Sequence, residues 1–121
     1  RRMHSVARDA LEACEAAIKP GRPMGEVFAA HAQVFDKAGL GHARLNACGY
    51  AMGAIYNPIW VDFPMFYEGN PTLMRESQVF FLHMILMDSD AGLAMCLGHS
   101  VEVTAHGAKR LSRHAPDLFE L

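Results

Sequence analysis

The sequence predicts an α+β domain because of three features. Two segments of helical periodicity occupy the first part of the chain, a glycine- and proline-rich stretch follows, and apolar segments flank a turn nearer the C-terminal end. Helices that precede strands, instead of alternating with them, are typical of α+β proteins. The order therefore indicates two helices, then loops, then an antiparallel sheet that contains a hairpin.

Both predicted helices are amphipathic. The first ends at Pro20 and Gly21, and its charged residues lie away from an apolar face. That face consists of Val6, Ala10, Leu11, Cys14, Ala17 and Ile18. The second ends at Gly39 and Gly41, since glycine favours helix C-termini. Its stripe consists of Val27, Phe28, His31, Val34 and Phe35.

The rest of the chain predicts strands. Residues 49–71 are rich in glycine, proline and aromatics, which indicates strand ends and long ordered loops. Residues 79–87 are apolar on both faces, as in a strand that is covered on both sides. Residues 88–92 contain two aspartates and a glycine and predict a turn. Residues 93–104 then form the returning strand, and residues 109–121 the closing segment.

Composition excludes several classes of protein. With 51% hydrophobic and 20% charged residues, the chain of 121 residues does not resemble a disordered segment and fits one small domain or part of one. The net charge of -2 comes without a basic stripe, so we expect no nucleic-acid partner. We find no apolar run long enough for a membrane span and no signal peptide, so we expect a cytoplasmic protein. The start at Arg1 within a helical pattern predicts a segment of a longer product.

The chain has three cysteines, Cys14, Cys48 and Cys96. Their number is odd, they are far apart, and apolar residues surround them. We therefore expect reduced thiols in the core and no disulfide framework.

Five segments resemble the C-terminal half of the pita-bread domain that creatinases, prolidases, Xaa-Pro aminopeptidases and methionine aminopeptidases share. Residues 18–21 close a helix, and Gly49-Tyr50-Ala51-Met52-Gly53 stands where the family has Gly-His-Gly-Ile-Gly. Glu68-Gly69-Asn70 matches a family loop, residues 78–83 match the strand that carries a metal glutamate, and residues 101–107 follow the second glutamate. The resemblance extends over nearly all of residues 1–121, taken as one portion of a metallopeptidase-like M24 domain.

The resemblance implies a pair of divalent metal ions that activate water against a carbon–nitrogen bond. In the family, two aspartates, one histidine and two glutamates hold these ions. Here the aspartates would lie upstream of Arg1, Tyr50 stands at the histidine, His83 at the first glutamate and Gly98 at the second. Tyrosine, histidine and glycine cannot replace carboxylates that neutralise two cations. We therefore expect no metal ligands in this segment.

His83 lies in the middle of the most apolar run. Burial of an imidazole without a partner costs roughly 1 to 3 kcal/mol, so it is either a core histidine satisfied by a backbone group or tyrosine, or part of a pocket. Depending on the register of the hairpin, His99 lies opposite or diagonal to His83. The catalytic candidates are therefore these two histidines together with Tyr50. Two imidazoles with Cys96 or Tyr50 would suit zinc or iron.

Residues 56–67 form an aromatic segment whose side chains are typical of apolar pockets with a few polar groups. Asn57, near a second family histidine, together with Trp60 and Asp62, are the candidate substrate-binding residues. The segment would equally serve as a rigid loop packed on a partner subunit or on an upstream segment.

The sequence thus predicts part of a metallopeptidase-family hydrolase whose dinuclear metal site is not encoded here. Its substrate would be a small molecule or peptide-like. One alternative is a hydrolase or lyase that uses no metal, or a different metal, in the same pocket. Another is a non-catalytic homologue that binds a ligand or forms a dimer.

A homodimer is the expected assembly, because a sheet face that upstream strands would normally cover is left apolar and open. Sedimentation velocity of the purified protein is expected to show self-association. A compact monomer at all concentrations would contradict this expectation.

Overall fold

The computed structural model describes residues 1–53, 56 and 58–119. Among them, α1 (Arg2–Ala17) and α2 (Met24–Lys37) pack against each other and against an antiparallel sheet. The strands are β1 (Ala47–Ala51), β2 (Asp62–Tyr67), β3 (Val79–Asp88), β4 (Leu93–Thr104) and β5 (Gly107–Arg110), in the spatial order β2-β1-β3-β4-β5. The α+β prediction of two helices followed by a sheet with a hairpin is confirmed.

Each helix ends where the sequence predicts. After α1, the backbone of Ile18 is extended and Gly21 takes a φ of 78°, a left-handed conformation that suits glycine. After α2, Gly39 has a φ of 71°. The short connection turns the chain back, so that α2 packs antiparallel to α1 on the same side of the sheet. Neither helix, in the described part of the chain, has the length and apolar character needed to cross a membrane.

The core lies between the helices and one face of the sheet. Along β3, buried and half-buried positions alternate. Phe66 of β2 packs against Phe80 with ring centroids 4.7 Å apart and ring planes tilted by 46°. Burial of each large apolar side chain contributes about 1.5 to 3 kcal/mol. The side chains that fill this face of the sheet are Phe66, Phe80, Leu82, Met84, Leu86, Val101 and Val103. Residues 79–87 were expected to be covered on both faces, but within the described residues only the helix side is fully buried.

The β3–β4 turn sets the register of the hairpin. The backbone N–H of Ala91 donates to Asp88 Oδ1 at 3.0 Å, and Gly92 has a φ of 65°. The same contact lowers the pKa of the Asp88 carboxyl. The predicted turn is confirmed. Its register places Met87 opposite Ala94 and His83 opposite Gly98, so His99 is neither opposite nor diagonal to His83 as was expected.

A buried histidine sits within α2. His31 has no exposed surface, its ring lies 4.8 Å from that of Phe35, and neither ring nitrogen has a hydrogen-bond partner. Burial and, to a smaller extent, the nearby Arg44 guanidinium together lower the pKa of His31 from 6.5 to about 4, against the opposing effect of Asp36. His31 is therefore neutral at physiological pH.

Acid should destabilise the fold through His31. Its pKa falls from 6.5 to about 4 on folding, so the unfolded chain binds the proton first as pH decreases. Stability is therefore complete above pH 6.5 and decreases toward pH 4, by roughly 3 kcal/mol in total. His31→Leu is expected to flatten this part of the stability curve, measured by urea unfolding at several pH values. Parallel curves for the two proteins would contradict the assignment.

Candidate functional site

Four positions meet on the open face of the sheet, opposite the helices. Tyr50 of β1 pairs with Phe81 of β3, and His83 pairs with Gly98 of β4. Phe81 and His83 are two residues apart on one strand, so they point to the same face. Tyr50, His83 and Gly98 therefore come together, although the sequence separates Tyr50 from Gly98 by almost half the chain.

The aromatic rings on this face contact one another. Ring centroids are 5.7 Å apart for Tyr50 and Phe81, 5.2 Å for Phe81 and His83, and 6.1 Å for Tyr50 and His83. The last two contacts are edge-on, an arrangement that aromatic groups favour. Partial burial lowers the pKa of His83, so its imidazole is neutral at physiological pH and able to accept a proton.

Gly98 leaves room for the ring of Phe81. A Cβ atom on Gly98 would lie 2.8 Å from Phe81 Cζ and even closer to the carbonyl oxygen of Leu82. Real Cβ atoms do not approach other atoms so closely, so a larger residue would push β3 and β4 apart or displace the ring. The position that the resemblance assigns to the second family glutamate is thus covered by a phenyl ring.

Cys96 is the functional candidate that sequence reasoning placed wrongly. Cys14 and Cys48 are buried as expected, but Cys96 is exposed on the open face, with its Sγ 2.9 Å from His83 Nε2. Partial burial raises the pKa of the Cys96 thiol, so the pair is a neutral thiol beside a neutral imidazole. Cys96 lies two residues before Gly98 and therefore shares its face, which only the hairpin register could reveal.

His99 does not join this group. It pairs with Leu82, so its side chain points toward the helices, where its Nε2 contacts the Glu15 carboxylate. Arg110 of β5 donates to the same carboxylate at 2.9 Å. Burial lowers the pKa of His99, against the opposing effect of Glu15. The expectation that His83 and His99 are neighbours was wrong, because a register shift of one residue sends a side chain to the opposite face of the sheet. The predicted metal site with two histidines is therefore wrong as well.

Two of the three predicted substrate-binding residues, Trp60 and Asp62, lie near the end of β1. Asn57 is outside the described residues. Trp60 is 68% exposed, and Asp62 begins β2, where its Oδ1 accepts the N–H of Phe63 at 2.7 Å. Trp60 borders a pocket of 260 Å³. The pocket is lined by Tyr50, Met52, Gly53, Tyr56, Trp60 and Phe81.

A wider cavity of 830 Å³ lies elsewhere, between β2 and the segment that precedes β3. Phe63, Thr72 and Arg75 are among its lining residues, and the catalytic candidates are not. It is shallow and unconnected with the paired side chains of the open face, so the smaller pocket beside Tyr50 is the better candidate site.

The open face does not suit a dinuclear metal centre. Within residues 1–53, 56 and 58–119, no three histidine, cysteine, aspartate or glutamate side chains cluster closely enough to hold a metal ion. His83 and Cys96 offer two donors, and hard divalent cations need carboxylate oxygens to neutralise their charge. The residues present on this face therefore do not fit the group that the resemblance implies.

Cys96 should be the most accessible of the three thiols. We expect N-ethylmaleimide to modify Cys96 well before Cys14 and Cys48, and at a rate that increases as pH rises toward the raised thiol pKa, because only the thiolate reacts. Mass-spectrometric mapping of the native protein identifies the modified residue, and Cys96→Ser serves as the control. Equal labelling of all three cysteines would contradict this placement.

Solved structures share this fold. A dipeptidase PepE from Mycobacterium ulcerans superposes with a TM-score of 0.84 at 22% identity, over 96% of this chain and 30% of that one. An X-Pro aminopeptidase from Thermotoga maritima superposes with a TM-score of 0.85 at 16% identity, over 97% of this chain and 32% of that one. A prolidase from Pyrococcus furiosus superposes with a TM-score of 0.82 at 18% identity, over 93% of this chain and 32% of that one. The chain thus spans about a third of the length of these proteins.

A search of curated protein sequences finds no match. The family model described as metallopeptidase family M24 matches residues 1–105. That match covers both helices, β1 to β4 and the open face with Tyr50, His83 and Gly98. The resemblance read from the sequence is confirmed, and the chain belongs to metallopeptidase family M24.

Proposed function

We propose that this chain is the C-terminal part of a larger pita-bread domain that acts on a carbon–nitrogen bond of a small or peptide-like substrate without a dinuclear metal centre. One observation carries the proposal. Tyr50, His83 and Gly98 meet on the open face. The sequence resemblance assigns these three positions to the metal-binding histidine and the two glutamates of the family, which supports the proposal. The location of a cleft is thus retained while its chemistry differs.

The part-domain status is supported by length and by exposure. Solved relatives of the fold are about three times longer than this chain. The open face also carries half-buried apolar groups such as Phe81 and Ile85, which in a larger domain would pack against further residues. An upstream segment would then close the cleft above His83.

Loss of the metal centre is supported by packing as well as by ligand chemistry. Gly98 contributes no donor, and the ring of Phe81 lies against it and against Tyr50 and His83. An apolar ring removes water and polar groups from the space in which cations would need oxygen ligands. Replacement of Gly98 by glutamate would not restore a site unless Phe81 also moved.

The remaining groups can move a proton. The neutral imidazole of His83 accepts or returns one through Nε2, the atom that contacts Cys96 Sγ at 2.9 Å. The Tyr50 side chain provides a hydroxyl that donates a hydrogen bond to a polarised substrate oxygen. In this proposal His83 is the general base or acid, and Tyr50 orients the substrate.

A second candidate function is non-catalytic ligand binding. The ring of Phe81 favours it, because this ring packs on Gly98 and against His83 and so fills space beside the imidazole. The pocket next to Tyr50 would then hold a ligand that the protein does not transform.

Metal content and one substitution test the proposal together. Elemental analysis of the intact protein, purified without chelators and then incubated with manganese, zinc or cobalt, is expected to show well under one ion per chain. Activity toward a panel of small amides and dipeptides should survive a chelator. His83→Ala is expected to reduce kcat/KM by at least about 100-fold, the usual contribution of a general acid or base.

His106→Ala is the matched control, because His106 is exposed in the turn before β5 and should leave activity unchanged. Two bound ions per chain with chelator-sensitive activity would refute the metal-independent proposal. Full activity of His83→Ala would remove His83 from the reaction. Binding of a ligand from the panel without turnover would favour the non-catalytic function.

A further inference from the structure

The pocket beside Tyr50 has mainly aromatic walls. Among the six described residues that line it, four are aromatic and one is a methionine. These five are Tyr50, Met52, Tyr56, Trp60 and Phe81. Aromatic faces carry partial negative charge, and several of them around one space form an environment that favours a cation.

Two of the rings are held in place by the sheet. Tyr50 and Phe81 are a cross-strand pair of β1 and β3, and their ring centroids are 5.7 Å apart. Met52 follows β1, where Ser100 Oγ contacts its Sδ at 3.1 Å. One side of the pocket is therefore rigid, and its shape is fixed before a ligand arrives.

The other two rings come from the segment that connects β1 to β2. Tyr56 is 90% exposed and Trp60 is 68% exposed, values that are high for side chains with such large apolar surfaces. Exposure of an aromatic ring without a partner loses the stabilisation that its burial would provide. A ligand that enters between these rings and the sheet would cover them.

A carboxylate stands at the rim of the pocket. The Oδ2 atom of Asp62 lies so close to Gly53 that a Cβ atom at Gly53 would collide with it. The Asp62 Oδ1 atom is held by the N–H of Phe63, which fixes the orientation of the group. None of the six described lining residues is positively charged. The Asp62 carboxylate thus contributes negative charge beside the pocket, which favours a cation over an anion.

Size narrows the class of ligand. The pocket measures 260 Å³, below the range of about 300–1,000 Å³ that is typical for drug-sized ligands. Its volume suits a compact head group and not an extended peptide. Weakly hydrated cations gain most from aromatic walls, because they lose little solvation on entry.

We propose that this aromatic pocket binds the quaternary or alkylated ammonium group of a small organic cation, through the rings of Tyr50, Tyr56, Trp60 and Phe81 and the Asp62 carboxylate. The inference rests on the proposed function in one respect, since it names the substrate class of the same cleft. Tyr50 belongs both to the pocket and to the group around His83, so a bound ammonium head would place the rest of the ligand along the sheet toward His83 Nε2.

Isothermal titration calorimetry of the intact protein tests the proposal with a pair of probes of equal shape. One is choline, and the other is the neutral alcohol in which carbon replaces the choline nitrogen. Choline is expected to bind about tenfold more tightly than the alcohol, since the two differ only in charge. Equal affinity for the two probes would mean an apolar pocket without cation selectivity and would overturn the proposal, as would failure of choline to bind at all.

Variants locate the site. Trp60→Leu and Tyr56→Leu are each expected to abolish most of the tenfold preference, and Asp62→Asn to reduce choline affinity while leaving the alcohol unchanged. Tyr56 is so exposed that its replacement should not affect folding. Phe119→Leu is the matched control, because Phe119 is an exposed aromatic outside the pocket and should keep the preference. Retention of the full preference in both Trp60→Leu and Tyr56→Leu would exclude this pocket.

The same titration separates failure of this inference from failure of the proposed function. His83→Ala should bind choline as the unsubstituted protein does, because His83 is not a lining residue. A protein that binds choline selectively but holds two metal ions would refute the proposed metal-free chemistry and leave the pocket assignment standing. A protein that is active without metal but shows no preference for choline would refute the pocket assignment and leave the proposed metal-free chemistry standing.

Discussion

An unbroken register joins β3 to β4, from Val79 opposite Glu102 to Asp88 opposite Leu93. Each strand side chain points to one face or the other, so this register decides whether a residue reaches the helix-covered core or the open face. It places His83 beside Gly98 and brings Cys96 within 2.9 Å of the imidazole. The Asp88 turn that closes the hairpin thereby determines which groups are available for chemistry, although it lies at the far end of the strands.

The open face retains the geometry of a metallopeptidase fold with a different kind of interaction at its centre. At its centre the rings of Tyr50, Phe81 and His83 pack against one another, and Gly98 permits that packing. Aromatic contacts are favourable without charge neutralisation, whereas a dinuclear centre needs several anionic ligands. These four residues are therefore consistent with one another, because each supports the same apolar arrangement.

Three of the histidines have different environments, and those environments give them different roles. His31 is buried among aromatic rings of α2, with a pKa lowered to about 4, and is a neutral part of the core. His99 is buried beside Glu15, which also binds Arg110 and so links α1 to β4 and β5. His83 alone of the three lies on the open face next to a thiol. The burial of each imidazole and the groups beside it therefore distinguish the two structural histidines from the one that is able to react.

The sequence by itself determined the fold class, the helix ends and the family, because periodicity, glycine at helix termini and motif order are local properties. The motifs also indicated Tyr50, His83 and Gly98 as positions of interest. Only the tertiary structure decided that His99 turns away, that Cys96 joins His83, and that Phe81 covers Gly98. These facts depend on pairing between distant strands, where a difference of one residue reverses the direction of every side chain.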